Sequence, residues 1–161
     1  MISSIITLSK SVFLRFFLLG LALAFAQEPF NIPYITFLVL PSVSFLVVRS
    51  LKTLKQYLLG GFVFGLGYFG LTFLWIINPF LVDYPKNVWL APFAYTVFVS
   101  SLSLFWAVAF YLSKYFMRDE EENRKKIFCL SILFAIAELF RCYVFSGFPW
   151  GILSYALIDT P

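Results

Sequence analysis

Two opposite charges stand inside apolar sequence near the end of the chain. Glu138 and Arg141 lie within the run 127–145, three residues apart. On a helix that spacing puts carboxylate and guanidinium on one face, within reach of each other. Charges in hydrocarbon are expensive, so they need a partner or a job. Two jobs fit: an ion pair that locks helix packing, or a polar anchor that holds the next segment near lipid headgroups. That next segment reads Ser146-Gly147-Phe148-Pro149-Trp150-Gly151. Gly147 permits unusual dihedrals. Pro149 fixes its own φ and biases Phe148 away from helix. Trp150 and Tyr155 are amphipathic rings suited to the headgroup zone. Residues 146–161 therefore read as an interfacial, re-entrant piece.

Other residues capable of chemistry are few. There is no histidine, and the two cysteines, Cys129 and Cys142, share one apolar segment. Thirteen positions apart, they would sit about 20 Å apart on a continuous helix, too far for a disulfide. Buried structural thiols are the plainer reading than reactive ones. The acidic run Asp119 to Glu122 reads as a solvated turn. No metal-ligand spacing is present and no cofactor is expected.

Composition sets the class. The 161 residues are 61% hydrophobic and 12% charged, with mean hydropathy +0.91. Soluble domains carry roughly 25% charged residues. The runs 29–48, 56–82 and 87–113 contain no charged residue. Each is long enough for a spanning helix of about 20 residues. The net charge of +4 does not point to nucleic acid, because the basic residues flank apolar runs.

The expected fold is all-α: a polytopic transmembrane bundle of about five spans, at 12–26, 32–48, 56–77, 88–113 and 127–145. Residues 1–161 form one domain in this reading. A cleaved signal peptide is the rival for the first segment, since Ala24-Phe25-Ala26 resembles a cleavage site. Pro41 should kink the second helix. Gly61 and Gly65 in the third form a small-xxx-small pair for close helix packing, or else a smooth groove wall for an acyl chain. Trp75 belongs at a membrane interface.

Charge placement gives an orientation. Lys10, Arg15, Arg49, Lys52, Lys55, Lys114, Arg118, Arg124, Lys125 and Lys126 fall on one side. The opposite loops, 27–31 and 78–87, hold only Lys86. The positive-inside rule then places the N-terminus in the cytoplasm, and five crossings place 146–161 outside. Glu138 falls just past the middle of a ~30 Å hydrocarbon core.

The stretch Glu138-Leu139-Phe140-Arg141, followed by Gly147-Phe148-Pro149-Trp150 and Tyr155…Asp159-Thr160-Pro161, resembles the membrane part of the bacterial apolipoprotein N-acyltransferases. The resemblance is sharp over 137–161 and loose elsewhere. Ser154 stands where that family often has glycine, and Ala156-Leu157 replace a more polar Ser-Gln. The resemblance implies an inner-membrane protein of lipoprotein biosynthesis, with a periplasmic C-terminal segment. It implies phospholipid and lipoprotein substrates: an acyl chain passes from phospholipid to the α-amino group of a diacylglyceryl-cysteine. The family's Glu-Lys-Cys triad lies in a nitrilase-like domain expected beyond position 161, so no catalytic residue carries over to this chain. As a fragment of that kind, it is expected to be inactive alone. Two alternatives are a stand-alone scaffold for a separately encoded catalytic polypeptide, and a small lipid-binding or transport membrane protein.

Overall fold

The five apolar segments all form helices. The computed structural model describes residues 2–82, 86–117, 121–144 and 151–157, with side chains from residue 11 to 156 within those ranges. Helix α1 is Ile2–Ala24, α2 Ile35–Ser50, α3 Leu54–Thr72, α4 Asn78–Val82, α5 Ala91–Phe116 and α6 Asn123–Val144. Short 3₁₀ turns occupy Leu74–Ile77, Val88–Leu90 and Leu153–Leu157. No strand occurs among the described residues.

Local chemistry sets the boundaries. Thr53 caps α3: the Gln56 amide N–H donates to Thr53 Oγ1 at 3.3 Å, and the Thr53 N–H donates to Gln56 Oε1 at 3.2 Å. This reciprocal pair satisfies two donors that a helix start leaves open. Pro92 lies in the first turn of α5, where a missing N–H costs little. Helix α6 begins at Asn123, before the expected start at 127, so Arg124, Lys125 and Lys126 form its first turn.

The third segment departs from the expected continuous helix 56–77. Its α-helix ends at Thr72, and the chain bends by 62° into 74–82. Pro79 lies beyond the bend, within the second limb, and has no N–H to donate to Trp75 four residues back. The Asn78 N–H takes the Trp75 carbonyl in a tighter turn instead. Pro41, by contrast, lies inside α2, which remains helical from Ile35 to Ser50.

By length and composition, the stretches 88–116 and 123–144 can cross a membrane, and the bent pair 54–82 is a third if it counts as one span. The apolar helices at 11–24 and 35–50 are shorter. At ~1.5 Å per residue, the 16 residues of α2 reach about 24 Å, less than a ~30 Å hydrocarbon core.

Helix α3 is the hub. It packs on α1 and α5, α5 packs on α6, and α2 lies across α1 and α6. Close approach is set by glycine. A Cβ on Gly61 would lie 2.5 Å from the Trp106 carbonyl oxygen, and one on Gly65 would lie 2.8 Å from the Ser103 Cα. On the other side of α3, a Cβ on Gly67 would clash with the Phe17 carbonyl oxygen, and one on Gly20 of α1 would clash with the Phe64 carbonyl oxygen. Aromatic rings fill the centre. Trp106 is fully buried, with Phe64, Tyr68, Phe69 and Phe134 all within 4.7–4.9 Å between ring centroids.

Candidate functional site

Helix α6 carries Glu138 and Arg141 on the face turned toward α5 and α3. Both are buried, with 8% and 2% of their surface exposed. The guanidinium grips the carboxylate with two bonds: Nε donates to Oε1 at 3.2 Å and Nη2 to Oε2 at 3.0 Å. Two parallel bonds of this kind give the pair a fixed geometry as well as charge compensation. The guanidinium also lies 5.2 Å from the centre of the Phe69 ring, a favourable cation–π placement.

The carboxylate does more than pair. Oε1 accepts the indole N–H of Trp106 at 2.7 Å, from α5. Oε2 faces the Leu153 N–H at 3.5 Å, a long contact. Arg141 Nη2 meanwhile donates to the Gly151 carbonyl at 3.1 Å. That same carbonyl accepts the Tyr68 hydroxyl at 3.0 Å, from α3. One residue on, the Ile152 carbonyl accepts the Gln27 amide at 3.2 Å, from the α1–α2 connection.

Three separate parts of the bundle, α6, α3 and the α1–α2 connection, therefore converge on the backbone of 151–153. Gly151 suits this position: its φ of +63° is a left-handed conformation. A Cβ there would also lie 2.9 Å from the Phe73 ring. Beyond it, Leu153 and Ala156 are buried and Tyr155 is 47% exposed. The segment sits on the end of the bundle by burying two apolar side chains and satisfying its own carbonyls.

The turn Gly147-Phe148-Pro149-Trp150, and Asp159 to Pro161, lie outside the described residues. Both flanks of the turn are described: Val144 ends α6, and Gly151 is held by the polar cluster.

Sequence reasoning brought Glu138 and Arg141 together but missed Trp106, Tyr68 and Gln27. A signal existed. Trp and Tyr in mid-span carry polar tips that need partners when buried, and Glu138 was the one mid-span acid available. Cys142 bonds back to the Glu138 carbonyl through its thiol at 3.0 Å. Cys129 and Cys142 are both free and half-buried. Among the described residues no group of three His, Cys, Asp or Glu could hold a metal. A cavity of about 280 Å³ between α2 and α6, lined by Val43, Phe64, Leu130 and Phe134, reaches Glu138.

The site is thus a buried ion pair, inside an apolar helix bundle, that tethers a backbone segment at the bundle's end. The chain belongs to the family described as the apolipoprotein N-acyltransferase N-terminal domain, which it matches over residues 19–161. The apolipoprotein N-acyltransferase of Sinorhizobium fredii (strain NBRC 101917 / NGR234) is 33% identical over 156 residues, covering 90% of this chain and 28% of that protein. Its counterpart in Brucella suis biovar 1 is 31% identical over 153 residues, with 90% and 28% covered. That of Rhodopseudomonas palustris is 32% identical over 146 residues, with 88% and 27% covered. The chain spans little more than a quarter of the length of these relatives.

Proposed function

We propose that this chain is the membrane platform of an apolipoprotein N-acyltransferase. In this reading it holds the 146–157 segment at the periplasmic surface of the bacterial inner membrane. Phospholipid and diacylglyceryl-cysteine lipoprotein meet there, and acyl transfer itself uses a cysteine-based site outside these 161 residues.

The observation that carries the reading is the double hold on the Gly151 carbonyl, by Arg141 from α6 and Tyr68 from α3. A buried ion pair need not touch a loop to stabilise helix packing. This one does, and the loop carries Trp150 and Tyr155, the rings best suited to headgroups. The apolar cavity beside Glu138 adds room for hydrocarbon next to the tether, near the small end of ligand-pocket sizes. Glu138 has its oxygens occupied by Trp106 and Arg141, so it serves as an anchor and not as a general base.

The test has two readouts. Purified chain, given phospholipid and a diacylglyceryl-cysteine peptide, is expected to yield no N-acylated peptide and no thioester-linked acyl group. Single cysteines introduced at Tyr155 and at Lys52 in a Cys129→Ser/Cys142→Ser background should label from the periplasmic and cytoplasmic sides respectively. Labelling of position 155 from the cytoplasm would remove the basis for the reading.

A further inference from the structure

The exposed face of α6 carries large apolar residues: Phe128, Ile132, Ile136 and Leu139. Ser131 and Ala135 interrupt it, since both are exposed and both are small. One turn apart, they form a notch. The notch opens on the cavity of about 280 Å³ between α2 and α6. Leu40 and Ser44 of α2, both half-buried, form the facing rim. The buried rings of Phe64 and Phe110 make the floor, and Glu138 and Leu153 mark the end next to the tether.

The polar groups at this cavity already have partners. Ser44 Oγ donates to the Leu40 carbonyl at 3.0 Å, and Ser131 Oγ donates to the Ile127 carbonyl at 2.9 Å. The Glu138 carboxylate accepts from Trp106 and Arg141. An apolar space that offers no unmet polar group stays free of water. Width excludes a helix as occupant. Helices α2 and α6 pack on each other, and packed helices stand ~8–10 Å apart, which leaves no room for a third between them. Left empty, the cavity forfeits the dispersion contacts of its lining atoms. A flexible hydrocarbon chain is thin enough to restore them.

We propose that this cleft seats one acyl chain of a membrane lipid, which enters sideways through the notch at Ser131 and Ala135. The inference rests on the membrane placement proposed above and adds the chemical class of ligand that the cavity takes. At ~1.5 Å per residue, Ser131 and Ala135 lie about 8 Å and about 14 Å along α6 from Lys126. In a ~30 Å hydrocarbon core that depth is out of reach of headgroups, so the cleft recognises methylene chain and not headgroup. The seated chain lies against Leu153, the buried side chain through which 151–157 rests on the bundle.

Trp106 reports on the cleft, because its ring lies 4.8 Å from those of Phe64 and Phe134 between centroids, and both line the cavity. Replacing Trp75, Trp89 and Trp150 with Phe leaves Trp106 as the sole tryptophan. That chain, reconstituted in vesicles of phosphatidylcholine brominated at mid-chain, should lose indole fluorescence relative to unbrominated vesicles. Bromine next to the carbonyl end of the chain should quench less. Ser131→Leu/Ala135→Leu fills the notch and should remove most of the quenching. Ala135→Val, a smaller plug, should remove part of it and keeps the comparison on folded protein. Ala137→Leu narrows the separate groove between α5 and α6 and should leave the quenching unchanged. Absence of quenching in the parent would overturn the seat, as would equal loss from Ala137→Leu and the notch variants. So would cross-linking between chains through Ala135→Cys in a Cys129→Ser/Cys142→Ser background, which puts a second copy over the notch. The readout needs neither sidedness nor acyl transfer, so its failure leaves the labelling test of the platform reading intact.

Discussion

Trp106 donates its indole N–H to Glu138 at 2.7 Å, from α5 to α6, across 32 residues of sequence. The accepting oxygen, Oε1, is also the one that takes Arg141 Nε. Indole and guanidinium thus fix the plane of the carboxylate between them. With that plane fixed, the Arg141 fork has one orientation, which brings Nη2 to the Gly151 carbonyl. The contact between α5 and α6 and the tether of the 151–153 backbone share one carboxylate.

Replacing Trp106 with Phe keeps most of the ring packing and removes the donor. Hydrogen bonds to charged groups contribute about 1.5–3 kcal/mol in soluble proteins, while interhelical bonds in membranes average nearer ~0.6 kcal/mol. This one is fully buried and charge-assisted, so a loss of about 1–2 kcal/mol is expected. Thermal unfolding in detergent reads it, with Trp106→Tyr as a size-matched comparison. An unchanged melting temperature for Trp106→Phe would mean the indole bond contributes nothing.

Removing one member of the ion pair should be worse than removing both. Arg141→Met leaves an uncompensated buried carboxylate, a change that costs about 3–5 kcal/mol. Arg141→Met combined with Glu138→Gln removes the charge as well, and should recover a substantial part of that stability. Both variants lose the Arg141 bond to Gly151. Limited proteolysis should therefore cut near 151–157 faster in each, including the double variant whose bundle is restored. Equal resistance to protease in wild type and double variant would separate the ion pair from the tether and defeat the anchor reading.

The helices were legible because their signals are local. The uncharged run 87–113, bounded by Lys86 and Lys114, marks α5, the apolar run after Lys126 marks α6, and the i, i+3 spacing puts Glu138 beside Arg141. What was not legible depends on depth matching between helices. Nothing in the order of residues says that Trp106 lies level with Glu138, or that Tyr68 and Gln27 reach the same backbone segment. The break after Thr72 was hidden inside a continuous apolar run. Gly61 and Gly65 were recognisable as a packing pair, though not which helix they meet; Trp106 and Ser103 identify it as α5.

Tyr68→Phe isolates the second hold on Gly151. The ring stays in its stack with Trp106, and only the hydroxyl bond to the Gly151 carbonyl is lost. Arg141 still holds that carbonyl, so no acceptor is orphaned. Global stability should fall by only about 0.5–1.5 kcal/mol. The local effect should be clearer: faster amide exchange at Leu153 and its neighbours, with α5 and α6 unchanged. Exchange that accelerates uniformly along all helices would show that Tyr68 acts on the whole bundle instead.

Gly61, Gly65 and Gly70 lie on one helix but should respond differently to alanine. Intrinsic helix propensity favours alanine over glycine by about 0.8–1 kcal/mol at each position. At Gly70 nothing opposes that gain, since a Cβ would meet only the Tyr95 hydroxyl at 3.6 Å. Gly70→Ala should therefore be neutral or mildly stabilising. At Gly61 the Cβ would press on the Trp106 carbonyl at 2.5 Å, and at Gly65 on the Ser103 Cα at 2.8 Å. Backbone must yield in both cases, and overpacking of this kind costs about 1–3 kcal/mol, enough to outweigh the propensity gain. The displaced backbone at Gly61 is that of Trp106 itself, so the indole moves with it and loosens its bond to Glu138. Gly61→Ala should thus raise protease sensitivity at 151–157 as well as lower the melting temperature. Gly65→Ala, which pushes on Ser103, should lower the melting temperature with less effect on that segment. If Gly61→Ala leaves 151–157 as resistant as in the wild type, α5 does not transmit its position to the tether.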